Sequence, residues 1–484
     1  MSITTFRDYI AEVDRIGDLK ILEGCDWDLE IGTLTELMAE RWGPALLFEK
    51  IKGYPDGFRV LANPYSTPRR TTLGLDLPLD TKPLEVVDHF RKKLKNFKPI
   101  KAIEVNNGPV MENIQEGDEI DLFTFPSPRW HESDGGRYLG TGCAVITKDL
   151  EDEWTNLGPY RVQVHNRDTA GIFISDYHHG SIMMKKYWAK GKSCPIAVAI
   201  GVEPRIFLAG CMSMAWGTSE YDFAGWMKNT PVEIIKGKYT NLDLPAHAEI
   251  VIEGEVPPPE QDSQVEGPFG EFHGYYGGEA SLQPVIKVRR IMFRNDPIIE
   301  GTPPIKPPFG SPAIPITNSP TTWNKLEAMG ITGIKGVYTI KAGGGPQITV
   351  VSMKQLYAGH SKQVGLATSS ALSHLCRFIV VVDDDIDPTN TEDVLWAIAT
   401  RCEPAESIDL LRGFASTSLD PRLSPELKAK GFFTNTRAII YAVKPYEWYS
   451  KFPQVNKGSE ELRRKISTKW SDLLGQYDSD ATHS

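Results

Sequence analysis

Glu266-Gly267-Pro268-Phe269-Gly270-Glu271, continuing as Phe272-His273-Gly274-Tyr275-Tyr276-Gly277-Gly278, sets two carboxylates around a turn rich in glycine and proline. On an unbroken strand, residues five apart point to opposite faces. The Gly-Pro step and the second glycine break that regularity and allow both carboxylates to converge on one cavity. Two carboxylates sharing a site push their pKa values apart, so that one keeps a proton near neutral pH. A surface turn with two solvated glutamates fits the same letters.

Outward from this turn, residues 116–310 have a β-rich texture. Short apolar runs at 143–147, 160–164, 171–174, 196–201, 249–253 and 285–293 alternate with Gly and Pro turns, which predicts a sandwich or barrel. Helical patterns over 181–190 and 220–228 are inserted in it. Residues 1–115 read as an N-terminal α/β region. It opens on an amphipathic helix started by Thr5 with Asp8 and stopped by Gly17, followed by helices over 34–42 and 84–94 and strands over 46–51 and 58–62. Prolines crowd residues 303–320, which predicts a stretch without regular structure, with a linker over 311–330. Residues 331–455 alternate again: strands at 336–341, 347–352, 377–382 and 437–443, and a helix capped by Thr389 and Glu392. Residues 456–484 hold a last helix, 460–474, and a polar tail from 477. The expected class is α/β with α+β character.

Composition narrows the function. The net charge of −10 argues against a general nucleic-acid or anionic-membrane binder. No apolar run approaches the ~18 residues of a membrane span, and the N-terminus lacks the pattern of a signal peptide, so a cytoplasmic protein is expected. Cys25, Cys143, Cys194, Cys211, Cys376 and Cys402 form no C-x-x-C pair and are expected to be reduced, mostly buried thiols.

Three further stretches carry candidate chemistry. Thr155-Asn156-Leu157-Gly158-Pro159-Tyr160-Arg161 places an arginine at a strand start, where it suits a carboxylate or phosphate fork, or an ordinary surface. In Tyr177-His178-His179-Gly180, adjacent histidines face opposite ways, so one suits a ligand role and the other a cavity wall; a structural histidine is the plainer alternative. In the run from Met212 to Asp222, Glu220 and Asp222 open a helix, which dipole capping alone explains. Taken together, Asn156, His179 and Glu220 form a mixed oxygen and nitrogen set that suits manganese or magnesium better than zinc. Neither G-x-G-x-x-G opening a helix nor G-x-x-x-x-G-K-[ST] is present, and no G-x-S-x-G elbow occurs.

In order over residues 100–445, these stretches resemble the UbiD family of reversible decarboxylases, which use prenylated FMN. The resemblance implies a flavin-binding split β-barrel domain flanked by the N-terminal α/β region and a C-terminal α/β oligomerisation domain. It places the family's Glu-Arg-Glu triad on Arg161, Glu266 and Glu271. It places the manganese set that holds the cofactor phosphate on Asn156, His179 and Glu220, and a potassium ion against the backbone of 209–212. His178 and Met212 are implied to flank the flavin. A C-terminal-domain lysine of the cinnamate-acting relatives has no counterpart here; the matching neighbourhood is that of Ala371. The resemblance further implies a partner prenyltransferase that supplies the cofactor, and a homodimer or homohexamer.

Loss of CO2 from an unsaturated carbon leaves a carbanion that needs an electron sink, which side chains lack and a cofactor supplies. The expected labour is divided: Glu271 protonates the product carbon, while Glu266 tunes it and holds Arg161. His360 and Arg422 are the candidate substrate-facing polar groups, favouring a hydroxybenzoic or heteroaromatic acid; both also fit an interface or surface. Lys306 in the proline-rich loop faces either the pocket or solvent. The competing readings are a cinnamic or other alkenoic acid decarboxylase and, in another class, a flavin-dependent oxidoreductase, which the Glu-Arg-Glu pattern disfavours.

Overall fold

The first helix of the computed structural model, Phe6–Arg15, starts where the letters place it. Thr5 Oγ1 accepts the Asp8 N–H at 3.1 Å, and Asp8 Oδ2 accepts the Thr5 N–H at 2.9 Å. Its apolar face, Phe6, Tyr9, Ile10 and Val13, is buried. The structure describes residues 3–152, 154–309 and 314–478.

The N-terminal sheet runs in the order Leu19–Glu23, Ala45–Glu49, Arg59–Ala62, Ile298–Gly301. Its last strand arrives from almost 240 residues downstream and pairs in parallel with Arg59–Ala62. This crossing ties the N-terminal region to the segment Thr302–Pro304, which enters the cavity described below. The second helix is Glu30–Ala39, starting and ending before the expected 34–42.

Among the described residues, ten strands form the central sheet. Its main path is Arg137–Gly140, Arg161–Val164, Thr169–Phe173, Ser281–Phe293, Ile250–Val256, Cys194–Ile200, Cys143–Lys148 and Thr155–Gly158. The strands Ser263–Glu266 and Asn113–Glu116 pair onto opposite ends of the thirteen-residue strand Ser281–Phe293 in this curled half-barrel. The strand Cys194–Ile200 shows why this sheet is buried on both faces. Ala197 and Ala199 join the core that holds Phe6, Tyr9 and Val13, while Ile196, Val198 and Ile200 join the core of Trp130, Phe125 and Ile252.

The C-terminal sheet, in the order Ile334–Thr339, Ile348–Met353, Phe378–Asp383, Thr434–Ala442, Ile408–Ala415, mixes parallel and antiparallel pairs. The N-terminal helix Pro83–Leu94 packs on this domain: Arg91 pairs with Glu327 at 2.9 Å and lies 4.1 Å from the Trp323 ring centroid.

Three expectations change. The proline-rich stretch is not all irregular, for Ile314–Ala328 is a helix. Pro315 sits in its first turn, where no N–H is needed, and Pro320 is carried inside because Ile316, Trp323 and Leu326 are buried. Residues 310–313 of the proline-rich stretch lie outside the described residues. The helix Thr391–Arg401 is capped by Asn390, whose Oδ1 accepts the N–H groups of Glu392 and Asp393; Thr389 bonds Asp387 instead. The last helix is two, Glu460–Lys469 and Ser471–Asp478, broken at Trp470; of the expected tail, residues 479–484 lie outside the described residues. All six cysteines are free thiols. Among the described residues no helix is long and apolar enough to cross a membrane.

Candidate active site

Arg161 opens the strand Arg161–Val164, and Glu266 ends the strand Ser263–Glu266. The guanidinium forks onto Glu266, with Nε to Oε1 at 2.8 Å and Nη2 to Oε2 at 2.8 Å. Its third nitrogen, Nη1, donates to Glu271 Oε1 at 2.5 Å. Phe173 lies opposite Arg161 in the antiparallel register, and its ring centroid is 4.3 Å from the guanidinium carbon.

The turn is held from behind. Glu266 is 1% exposed and also accepts the Tyr138 hydroxyl at 3.0 Å. Gln163, two residues along the strand and so on the face of Arg161, accepts the Gly267 N–H at 3.0 Å and donates to the Gly135 carbonyl at 3.1 Å. Gly267 has φ +83°, the left-handed region that lets the chain bring Glu271 back toward Arg161. A Cβ on Gly135 would stand 1.9 Å from the Gly267 carbonyl oxygen. Gly135→Ala is therefore expected to cost about 1–3 kcal/mol of stability, seen as a lower midpoint of thermal unfolding.

Arg161 and Glu271 face a cavity of about 600 Å³; Glu266 stands behind Arg161. Burial pushes the Glu271 carboxyl up to about 7 against the pull of Arg161, and the charge of Glu266 adds to the rise. Burial works against the Arg161 charge, but the hydrogen bonds and charge of Glu266, then the charge of Glu271, outweigh it and raise its pKa.

The same cavity is lined by Asn156, His179 and Glu220. Asn156 comes from the strand Thr155–Gly158, and His179 and Glu220 are the first residues of the helices His179–Trp188 and Glu220–Lys228. Trp154 and Trp216 set their rings edge-on to His179, at 5.4 and 5.2 Å. Glu220 is 2% exposed and accepts the Leu157 N–H at 2.8 Å. Burial pushes its carboxyl up to about 8, opposed only by backbone N–H groups. A buried carboxylate that shares a cavity with an imidazole and a side-chain amide is a donor set whose chemistry fits a hard divalent cation. Among the described residues, no three His, Cys, Asp or Glu side chains group as a metal site.

His178 and Met212 also line the cavity. Burial, with His374 and His179 nearby, holds the His178 imidazole down to about 4, so it is neutral. The C-terminal domain contributes Ser373, His374, Leu375 and Leu419 to the lining.

Two expected substrate residues are elsewhere. His360 begins the helix His360–Ala371, is fully buried, accepts the Leu356 N–H at 3.2 Å and stacks on Tyr357. It fills the C-terminal domain's own interior. Arg422 and Lys306 are exposed and do not line the cavity. The residues that the letters did not single out are Tyr138, Gln163, Phe173, His374 and Leu419. Only Gln163 had a local signal, its two-residue spacing from Arg161 on one strand.

Residues 10–90, 101–307 and 313–442 match, in turn, the 3-octaprenyl-4-hydroxybenzoate carboxy-lyase N-terminal domain, its Rift-related domain and its C-terminal domain. A phenolic acid decarboxylase of Bacillus subtilis (strain 168) is 33% identical over 443 residues, 88% of this chain and 90% of that one. The apo structure of a 3,4-dihydroxybenzoic acid decarboxylase from Enterobacter cloacae matches with a TM-score of 0.85 at 26% identity, covering 98% of this chain and 100% of that one. An evolved dimeric form of the UbiD-class enzyme HmfF from Pelotomaculum thermopropionicum, in complex with prFMN, matches with a TM-score of 0.79 at 25% identity, covering 94% and 97%.

Proposed function

The chain belongs to the UbiD family of carboxy-lyases, and from that premise we propose that it reversibly decarboxylates a hydroxybenzoic or heteroaromatic acid with prenylated FMN. The observation that carries this reading is Arg161, forked on a buried Glu266 while it presents Glu271, a carboxyl with a pKa of about 7, to the cavity. The phenolic and dihydroxybenzoic acid decarboxylases among the relatives support the aromatic substrate, and the prFMN complex supports the cofactor.

When bound, prenylated FMN would supply the electron sink for the pair left on the ring carbon as CO2 departs. The side chains do the rest. Three of the five N–H donors of Arg161 are committed to Glu266 and Glu271, which leaves two for the substrate carboxylate. Glu271, largely protonated below about pH 7, delivers its proton to the ring carbon that has lost CO2. Glu266 fixes the arginine and so the position of both groups. His178 and Met212 line the cavity wall, where they would flank the flavin.

Asn156, His179 and Glu220 would hold a manganese ion, and the backbone carbonyls of 209–212 a potassium ion, together neutralising the cofactor phosphate. Removing manganese with a chelator is expected to release the flavin with it. Glu220→Gln is expected to purify with less than about one tenth of the wild-type flavin absorbance, since a buried ligand charge is lost. Full flavin retention in metal-free protein overturns this assignment. Leu462, Ile466 and Trp470, spaced four apart and exposed on the last helices, support association into a homodimer or homohexamer. A separate prenyltransferase supplies the cofactor.

The decisive experiment offers the purified holoprotein 3,4-dihydroxybenzoate, a pyrrole or furan carboxylate, and cinnamate, and measures CO2 release. Turnover of an aromatic ring acid is expected. Preference for cinnamate moves the protein to the alkenoic reading, and NADPH oxidation without CO2 release moves it to the oxidoreductases.

A further inference from the structure

His273 joins two segments 146 residues apart. Its Nδ1 accepts the Tyr275 N–H at 3.2 Å, which assigns the ring proton to Nε2. Nε2 then donates to the Leu419 carbonyl at 2.8 Å. The ring is 5% exposed.

On one side, His273 is inside the turn that carries Glu271. The Gly274 N–H donates to the Glu271 carbonyl at 2.8 Å, and the Glu271 N–H donates to the Tyr275 carbonyl at 3.0 Å. One tight turn therefore carries both the imidazole and the Glu271 carboxyl. On the other side, Leu419 lines the cavity from the C-terminal domain. Its loop is pinned by Asp420, which accepts from Arg377 at 2.5 Å and from Ser416 at 2.7 Å. A second tie crosses the same gap, from Lys428 Nζ to the Gly277 carbonyl at 2.6 Å.

Gly277 marks the junction. A Cβ there would lie 2.5 Å from the Leu419 oxygen, 3.1 Å from His273 Nε2 and 3.3 Å from Glu271 Cγ. The acid's side chain, the imidazole and the C-terminal loop meet where only a glycine leaves room.

We propose that His273 is a positioning residue whose hydrogen bond to Leu419 couples the seating of the C-terminal domain on the cavity to the placement of the Glu271 carboxyl. The catalytic consequence rests on Glu271 being the proton donor; the structural coupling does not.

The test uses the full-length holoprotein and two readouts: hydrogen–deuterium exchange over 271–278 and 416–423, and kcat with KM on the best substrate. His273→Asn keeps an acceptor for Tyr275 but is too short to reach Leu419. His273→Gln keeps a donor near the Nε2 position. Gly277→Ala drives a methyl into the junction. In His273→Asn and Gly277→Ala, both segments are expected to exchange about tenfold faster together. A displacement of the acid of this kind is expected to cost about 10²-fold in kcat with KM nearly unchanged. His273→Gln is expected to restore most of both. Faster exchange confined to 271–278, an unchanged kcat, or no recovery in His273→Gln overturns the proposal. If His273→Asn fails to fold, Gly277→Ala gives the same two readings. Full turnover in Glu271→Gln removes the proton-donor reading and leaves the exchange result standing, so the two failures are distinct.

Discussion

Arg161→Leu is expected to destabilise the fold by about 3–5 kcal/mol, because it strands a buried carboxylate. Glu266 is 1% exposed and receives two of its charge-assisted hydrogen bonds from this one side chain. The Tyr138 hydroxyl at 3.0 Å remains, but a neutral donor cannot compensate the charge. Turnover is expected to fall about 10²–10³-fold or more, since the substrate carboxylate loses its clamp and Glu271 its anchor. The two losses separate in a second variant. Arg161→Leu with Glu266→Gln removes the stranded charge and is expected to recover most of the urea midpoint while recovering none of the CO2 release. Arg161→Lys keeps a charge but not the fork, so it is expected to retain more stability than Arg161→Leu and still turn over slowly. Recovered turnover in the double variant would mean that the arginine only serves the fold.

This separation explains which parts of the site the letters reveal. The carboxylate turn is local: two glutamates, two glycines and a proline within six residues state both the break in the strand and the chemistry. The capping pair Thr5 and Asp8 is local in the same way. The support of the turn is not. Tyr138 reaches Glu266 across 128 residues, and Leu419 reaches His273 across 146, and nothing near either residue encodes the meeting. That His360 and Arg422 do not line this cavity was illegible for the same reason. A polar side chain in a loop or at a helix start carries no local sign of which cavity it faces. Buried His360 accepts the Leu356 N–H and stacks on the Tyr357 ring inside its own domain. The proline-rich stretch erred oppositely. Local letters forbade a helix over its second half, and burial of Ile316, Trp323 and Leu326 overrode them.

Glu271→Gln is expected to lower kcat about 10²–10⁴-fold while leaving the substrate and cofactor bound. The amide oxygen still accepts from Arg161 Nη1, so the geometry survives and only the transferable proton is lost. The pH dependence identifies the group. Burial raises the Glu271 carboxyl from an ordinary 4.5 to about 7, so the acid form dominates below that value. The wild-type rate should then fall as pH rises through about 7, and in Glu271→Gln that limb should vanish from the residual activity. Stability follows the same sign. With the folded pKa above the unfolded one, the native state binds the extra proton between about 4.5 and 7. The stabilisation is complete below that window and is lost as pH rises through it. Glutamine, a permanent stand-in for the protonated acid, should flatten this dependence. An alkaline limb that persists in the variant would assign the proton to another group lining the cavity, and full turnover would remove Glu271 from the reaction.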